Sequence, residues 1–556
     1  MERPWLSQYP PGVPAEIDVA GYPSVREVFE ESCRKYAKRP AFTCMGRTIT
    51  FAELDALSSA FGGWLQSVGC TRGTRIALMM PNILQYPICV FGALRAGCTV
   101  VNVNPLYTAR ELEHQLIDSG AEVIVVVENF ARTLSQTVAR THIRHVIVTS
   151  IGELLGAKGR LVDVMLRRVK RMVPPWTLPD AIRFTDAMKA GGKRALSRIP
   201  IGHDDIAFLQ YTGGTTGVAK GAMLLHRNLV ANLLQARAWL RPFLDGRREV
   251  ILTPLPLYHI FSLTANCLVF MSIGGENVLI TNPRDIRGMV KTMRGSRFTA
   301  MTGVNTLFNA LLNNERFRGL DFSAFRLTLG GGMAVQEAVA KRWKEITGVP
   351  LIEAYGLTET SPAATMNRLD LPQFNGSIGL PISSTDVVLR DDAGHDVKPG
   401  EPGEICIKGP QVMAGYWQRP DETAKAMTPD GYFMSGDIGT MDERGYIRIV
   451  DRKKDMILVS GFNVYPNEIE GIVAMHDGVL ECAAVGIPDR KSGEAVKLFV
   501  VRKDVRLTAP ALLSHCRRHL AGYKCPREIE FRSDLPKSNV GKILRRELRD
   551  EAKDAA

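Results

Sequence analysis

The sequence predicts an α/β protein of more than one domain: layered sheets in a large N-terminal domain, then a small α+β domain. Three observations carry this. Short branched-apolar runs, "RIALMM", "CTVVNVN", "AEVIVVV" and "HVIVTS", alternate with helical periodicity, the pattern of parallel strands covered on both faces. A second such series runs from "DIAFLQYT" through "EVILTPLPLYH" and "FTAMTGV" to "LTLGGGMA". At 556 residues the chain also exceeds the size at which a single core usually splits.

A boundary is expected at "IVDRKKDMI", where glycine-dense turns give way to a smaller α+β pattern. This divides the chain into an N-terminal domain, 1–451, a charged hinge, 452–455, and a C-terminal domain, 456–556. A plain exposed turn at the hinge is the alternative, and composition does not separate the two.

Composition excludes several classes. Met1–Pro14 has no apolar run and no small-residue cleavage site, so it is not a secretory signal. Apolar runs are interrupted early, short of the roughly 18 residues a spanning helix needs. Ten cysteines between Cys33 and Cys525 include no Cys-x-x-Cys pair, which suits reduced thiols in a cytoplasmic protein rather than zinc or disulfides. The net charge of +12 suits anionic ligands or surfaces. No zinc-finger, RNP-type or basic-zipper spacing supports nucleic acid as a partner.

"RLVDVMLRRVKRMVPPW", Arg160–Trp176, places Val162, Met165, Leu166, Val169, Met172 and Val173 at helical spacing among Arg167, Arg168, Lys170 and Arg171. Such a helix suits an anionic bilayer surface on the inner face of the membrane. A surface helix whose stripe packs on the protein body, its charges solvated, is the favoured reading.

Four constellations carry chemistry. "YTGGTTGVAKGA", Tyr211–Ala222, joins a strand to a helix. Gly213, Gly214 and Gly217 let backbone N–H groups approach phosphate, Thr212, Thr215 and Thr216 add hydroxyls, and Lys220 adds a cation. It is not a Walker loop, because Ala219 precedes Lys220 and Gly221 follows it. In "IEAYGLTETSP", Tyr355 offers a stacking face and Glu359 a hard oxygen for Mg²⁺; alone, each suits a packed core residue and a surface acid. In "DGYFMSGDIGTMDERGYIRIVDRKKD", Asp437 sits between glycines where it can reach a ribose diol, and Arg452 follows fifteen residues later. A β-hairpin with ordinary turn acids is the plainer reading. Near the end, "LPKSNVGKILRREL" places Lys542 after Gly541, weak evidence alone because terminal basic runs are usually solvated.

"YTGGTTGVAKG", "YGLTET", "SGDIG…GYIRIVDRKKDMI", "GFNVYPNEIE" and "PKSNVGK" together resemble, in order, the acyl-adenylate-forming (AMP-binding) superfamily, over about Ile206 to Arg546. The wording is most similar to bacterial long-chain fatty-acid–CoA ligases. The resemblance implies a small β-barrel-like subdomain within the N-terminal domain and a mobile C-terminal domain. It implies activation of a fatty acid by ATP to acyl-AMP with release of pyrophosphate, then transfer to coenzyme A. Long chains are the expected substrates. A medium-chain or aryl acid–CoA ligase, or an acyl-AMP ligase loading a carrier protein, is the alternative.

The resemblance also implies roles. Thr212, Gly213, Gly214, Thr215, Thr216, Gly217 and Lys220 would hold phosphates, and Glu359 with Thr212 would bind Mg²⁺. Tyr355, Gly356 and Thr358 would meet the nucleotide beside Gly330, Gly331 and Gly332; Asp437 and Arg452 would take the ribose side. Lys542 would act in adenylation, Lys454 as the hinge pivot and Gly461 at the coenzyme A tunnel. His259 and Leu263, in "PLPLYHIFSL", would border the acyl pocket. The fatty acid, ATP and coenzyme A are the implied partners, with a homodimer left open. Gly213 stands where many members have Ser or Thr, and Ala219 where many have Pro. Leu263 stands where a long-chain member has a gating tryptophan.

Overall fold

In the computed structural model, which describes residues 3–212, 219–244, 246–538 and 540–554, the apolar runs become strands whose alternate side chains feed two different cores. Val123, Val125 and Val127 join the core of helices Phe51–Ser67, Gln85–Arg95 and Phe184–Gly191. Ile124 and Val126 meet Leu112 and Leu116 of helix Ala109–Ser119 on the other face. Burial on both faces explains why these strands read as continuous apolar runs. The helices start where the sequence supplies caps. Thr50 and Glu53 close a capping box at the start of Phe51–Ser67, satisfying two amides that lack intrahelical partners.

The first sheet has seven strands, in the order Ile182–Arg183, His145–Thr149, Val123–Val127, Arg75–Met79, Thr99–Asn102, Ile206–Thr212 and Lys220–Leu225. All neighbours are parallel except the last pair. The expected second series therefore begins later than the sequence suggests. "DIAFLQYT" closes the first sheet, pairing Val100 with Phe208 and Asn102 with Gln210. The second sheet has nine strands and centres on parallel Val250–Thr253, Ala300–Gly303, Leu327–Gly330 and Leu351–Gly356. Its far edge is the N-terminal hairpin Pro40–Cys44 and Arg47–Thr50.

The segment expected to be barrel-like is a four-stranded antiparallel sheet, Asp386–Arg390, Gly403–Lys408, Phe433–Met441 and Ile447–Arg452. Beyond residue 455 a five-stranded sheet builds its own cores. Helices Pro466–Ala474 and Ala509–His519 cover one face, and Arg545–Asp554 covers the other. No helix among the described residues is long and apolar enough to cross a membrane. All ten cysteines are free thiols, nine of them buried.

The helix expected over Arg160–Trp176 is shorter and turned differently. It spans Ala157–Val164, continues as a π-helical turn over Met165–Val169, and stops before Arg171 at a φ of +50°. The favoured packing of its apolar stripe on the body holds for half of it: Val162 packs against the main core, and Leu166 and Val173 are half-buried. Met165, Val169 and Met172 are exposed, with Leu161 and Val164 beside them.

Helix Phe184–Gly191 reaches helix Phe51–Ser67 through a glycine: a Cβ on Gly191 would lie 1.9 Å from the Ala60 carbonyl oxygen. Gly191→Ala should therefore cost about 1–3 kcal/mol by overpacking. Gly192→Ala, whose Cβ would come no nearer than 3.2 Å to its neighbours, should cost well under that. Urea unfolding of the two variants checks this; equal losses would contradict it.

Candidate functional site

The carboxyl ends of Ala300–Gly303, Leu327–Gly330 and Leu351–Gly356 open into one cavity of about 1700 Å³, the edge at which parallel α/β sheets place ligands. Its walls come from the second sheet, the four-stranded sheet, residues 452–455 and the C-terminal unit. Thr212, Lys220, Gly330, Gly331, Gly332, Tyr355, Gly356, Thr358, Glu359, Asp437, Arg452, Lys454 and Lys542 all line it. Residues separated by more than three hundred positions are thus brought to one space. Gly213, Gly214, Thr215, Thr216 and Gly217 lie outside the described residues.

Tyr355 and Asp437 form the base of the site. The Tyr355 hydroxyl donates to Asp437 Oδ2 at 2.7 Å. Antiparallel register sets Asp437 directly opposite Arg452, so the guanidinium Nε lies 3.2 Å from Asp437 Oδ1. Burial, with the Asp437 charge next, raises the Tyr355 phenol well above its ordinary value, so it remains a donor. Gly331 permits close packing here: a Cβ would meet the Ala354 carbonyl oxygen at 3.0 Å and the Phe261 ring at 3.2 Å.

Glu359 sits in the short turn Thr358–Thr360 and accepts the Tyr416 hydroxyl at 2.8 Å. Burial raises its carboxyl above the ordinary range, opposed by that hydrogen bond. Among the described residues no group of three or more His, Cys, Asp or Glu could hold a metal. One buried carboxylate in a cavity wall that also carries Thr212 fits Mg²⁺ that arrives with phosphate oxygens as its other ligands. Lys220 pairs directly across the strands with Thr212, but its ammonium bonds Glu422 and lies 5.1 Å from the Tyr416 ring centre.

Lys542 enters from the C-terminal unit. Its turn is tied by Ser538 N to Lys542 O at 2.7 Å and Lys542 N to Ser538 Oγ at 3.1 Å. Gly541, at a φ of +83°, accepts the Thr306 hydroxyl at 2.9 Å across the domain gap. Desolvation and then the nearby Arg452 charge push the Lys542 ammonium down to about 8. Among the described residues no carboxylate comes within ion-pair distance of it.

His259 faces the same cavity as a neutral imidazole, pushed down to about 4 by burial and by the charge of Lys542. Leu263 does not line it. Four residues further along this helical stretch it is fully buried in the main core, while Phe261, Thr264 and Ala265 take the cavity side. Gly461 lies at the exposed turn between strands Ile457–Val459 and Phe462–Val464, outside the cavity wall.

Three participants escape the sequence reading. Glu353, two positions before Tyr355 on the same strand face, lines the cavity. Burial pushes it to about 8, and its Oε2 has no hydrogen-bond partner. Strand alternation from Tyr355 is the signal that could have found it. Asp451 and Arg545 tie the end of strand Ile447–Arg452 to the C-terminal unit. Asp451 is fully buried and receives Arg545 Nη1 at 3.2 Å and Asn467 N at 2.8 Å. Arg545 also reaches Glu470 at 2.6 Å and Asp455 at 3.7 Å, and Arg549 holds Asp455 at 2.6 Å. No spacing rule links these positions.

The sequence matches the AMP-binding enzyme family over residues 29–417 and the AMP-binding enzyme C-terminal domain over 468–542. A long-chain-fatty-acid–CoA ligase of Yersinia pestis is 60% identical over 553 residues, 99% of this chain and 98% of the relative. A feruloyl-CoA synthase of an Amycolatopsis species is 35% identical over 506 residues, 91% of this chain and 94% of the relative. Among solved structures, an anthranilate CoA ligase in complex with anthranoyl-AMP superposes with a TM-score of 0.86 at 25% identity, covering 97% of this chain and 99% of its own.

Burial raises Asp451 from the ordinary 3.8 to about 6, against the pull of Arg545. The folded state thus binds this proton more tightly than the unfolded chain, so its contribution to stability falls as pH rises between those values. Measured by denaturant unfolding, the stability of the wild type relative to Asp451→Asn should fall from pH 4 to pH 6 and level off above. A flat or rising difference would contradict this.

Proposed function

The chain belongs to the AMP-binding enzyme family, and from that premise we propose that it activates a long-chain fatty acid with ATP and transfers the acyl group to coenzyme A. In the first half-reaction a carboxylate oxygen attacks the α-phosphorus of ATP. The bond to the bridging oxygen breaks, pyrophosphate leaves, and an acyl-adenylate remains. In the second, the sulfur of coenzyme A attacks the acyl carbonyl. The bond to the AMP oxygen breaks, AMP leaves, and the thiol proton passes to solvent.

The chemistry asks for an anion to approach a crowded triphosphate, a problem of positioning and electrostatics. The Lys542 ammonium, desolvated and without a carboxylate of its own, is the single observation that carries this reading. It adds positive charge where the attacking carboxylate and the α-phosphate must meet. Tyr355 stacks on the adenine beside Gly330–Gly332, and Asp437, steadied by Tyr355 and Arg452, accepts the ribose hydroxyls. Thr212 and Lys220 serve the phosphates. Mg²⁺, held by Glu359 and Thr212 with phosphate oxygens, would neutralise part of the triphosphate charge. The acyl chain runs along the apolar wall formed by Ala236, Leu240, Val269, Ala300 and Leu329, past His259.

Lys454 is the pivot of a swing of the C-terminal unit between the half-reactions, a gating step that withdraws Lys542 and brings Gly461 towards the coenzyme A tunnel. The apolar substrate and the net charge of +12 suit a peripheral protein that works at the cytoplasmic face of an anionic membrane.

Lys542→Ala should lower acyl-adenylate formation by about a hundredfold or more while sparing thioester formation from a supplied acyl-adenylate. Separate single-turnover assays of the two steps check this, and equal loss in both would contradict the swing. Across a panel of acids, turnover should be best with long saturated chains; a preference for benzoate or acetate would overturn the substrate assignment.

A further inference from the structure

Five of the thirteen large apolar side chains exposed among the described residues, Leu161, Val164, Met165, Val169 and Met172, fall within a dozen residues on one segment. That segment divides its apolar residues between two faces: Val162 packs against the main core and Leu166 is half-buried, while these five are exposed. A surface helix ordinarily buries its apolar stripe and turns its charges to water. Two of its charges are nevertheless tied to the body. Asp163 accepts Ser150 Oγ at 2.6 Å and Gly152 N at 2.8 Å. Arg167 forms a two-pronged bond at 2.9 and 2.8 Å to Glu128, itself 3% exposed.

The inner face also fits closely. A Cβ on Gly159 would lie 1.8 Å from the Gly152 carbonyl oxygen, so the helix rests on that turn through bare backbone. At its far end Asn129 Nδ2 donates to Met172 O at 3.0 Å. The apolar side is therefore held outward by a built inner face. Arg160, Arg168, Lys170 and Arg171 are exposed beside it, and among the described residues none of the four has a carboxylate within ion-pair distance.

Resting on the peripheral-membrane part of the reading above, we propose that this face, Leu161 to Met172, is the surface by which the protein docks on an anionic lipid bilayer. The apolar side chains enter the acyl boundary, and the flanking cations meet lipid phosphates. Charge complementarity favours this occupant: an apolar stripe alone would suit a protein partner, but four unpaired cations around it suit a phosphate-rich interface.

The test is sedimentation of the full chain with vesicles of phosphatidylcholine and phosphatidylglycerol, beside vesicles of phosphatidylcholine alone. Wild type should bind the anionic vesicles, and raised salt should weaken that binding. Arg168→Ser with Lys170→Ser should weaken it by about tenfold or more, two basic contacts having been removed. Leu161→Ser with Val169→Ser should weaken it on both vesicle types, while ATP-dependent turnover of a short, water-soluble acid stays at the wild-type level. If wild type binds and both double variants bind equally well, this surface is overturned and the membrane reading stands. If wild type binds neither vesicle, both fall. If the variants change the oligomeric state on size exclusion and leave vesicle binding unaltered, a second copy covers the face and the proposal is overturned.

Discussion

A half-buried lysine ammonium on the cavity wall, with no carboxylate of its own among the described residues, is the constraint around which the rest of the structure is arranged. Burying such a charge is costly, and the cost appears as the lowered proton affinity of Lys542. What keeps it in place is backbone geometry, not an ion pair: the Ser538–Lys542 turn, the Thr306 bond to Gly541, and the bond from Asn309 to Leu480 O at 2.9 Å. The charge is therefore aimed before any substrate arrives. An anionic substrate gains by satisfying it, and no reorganisation is needed when negative charge develops.

The strand Ile447–Arg452 joins this charge to residues 451–455. Successive side chains leave a strand on opposite faces, so Arg452 turns to Asp437 while Asp451 turns to Arg545. One strand end thus carries both the Asp437–Arg452 pair and the Asp451–Arg545 pair. Arg545 lies three residues beyond Lys542 and bridges Asp451, Asp455 and Glu470. A buried pair of this kind contributes little net stability but is expensive to break one partner at a time. It ties the position of Lys542 to the conformation of residues 451–455.

Much of this was legible in the sequence because it depends on local rules. Parallel strands buried on both faces leave continuous apolar runs. Tyr355, Glu359, Asp437, Arg452 and Lys542 stand in motifs whose residue types state their chemistry, and the structure brings them to one cavity. The rest depends on three-dimensional neighbours. Leu263 was placed at the pocket by its motif, yet the turn of its helix carries it into the core. Ile206–Thr212 was grouped with the strands that follow it because order along the chain does not reveal which sheet a strand joins. The segment after Arg160 was read by periodicity as a packed stripe; Val162, Leu166 and Val173 are covered, but Asp163, Arg167 and two glycines set an orientation that leaves Met165, Val169 and Met172 exposed. The partnership of Asp451 with Arg545 leaves no sequence trace at all.

Competitive labelling of Lys542 with a small acylating reagent, read by mass spectrometry across pH with and without ATP and Mg²⁺, tests the central constraint most directly. A desolvated, unpaired ammonium should show a reactivity midpoint near 8 in the free protein, and the midpoint should move upward when the triphosphate supplies the missing negative charge. A midpoint at the ordinary lysine value of 10.5, unmoved by nucleotide, would contradict the account.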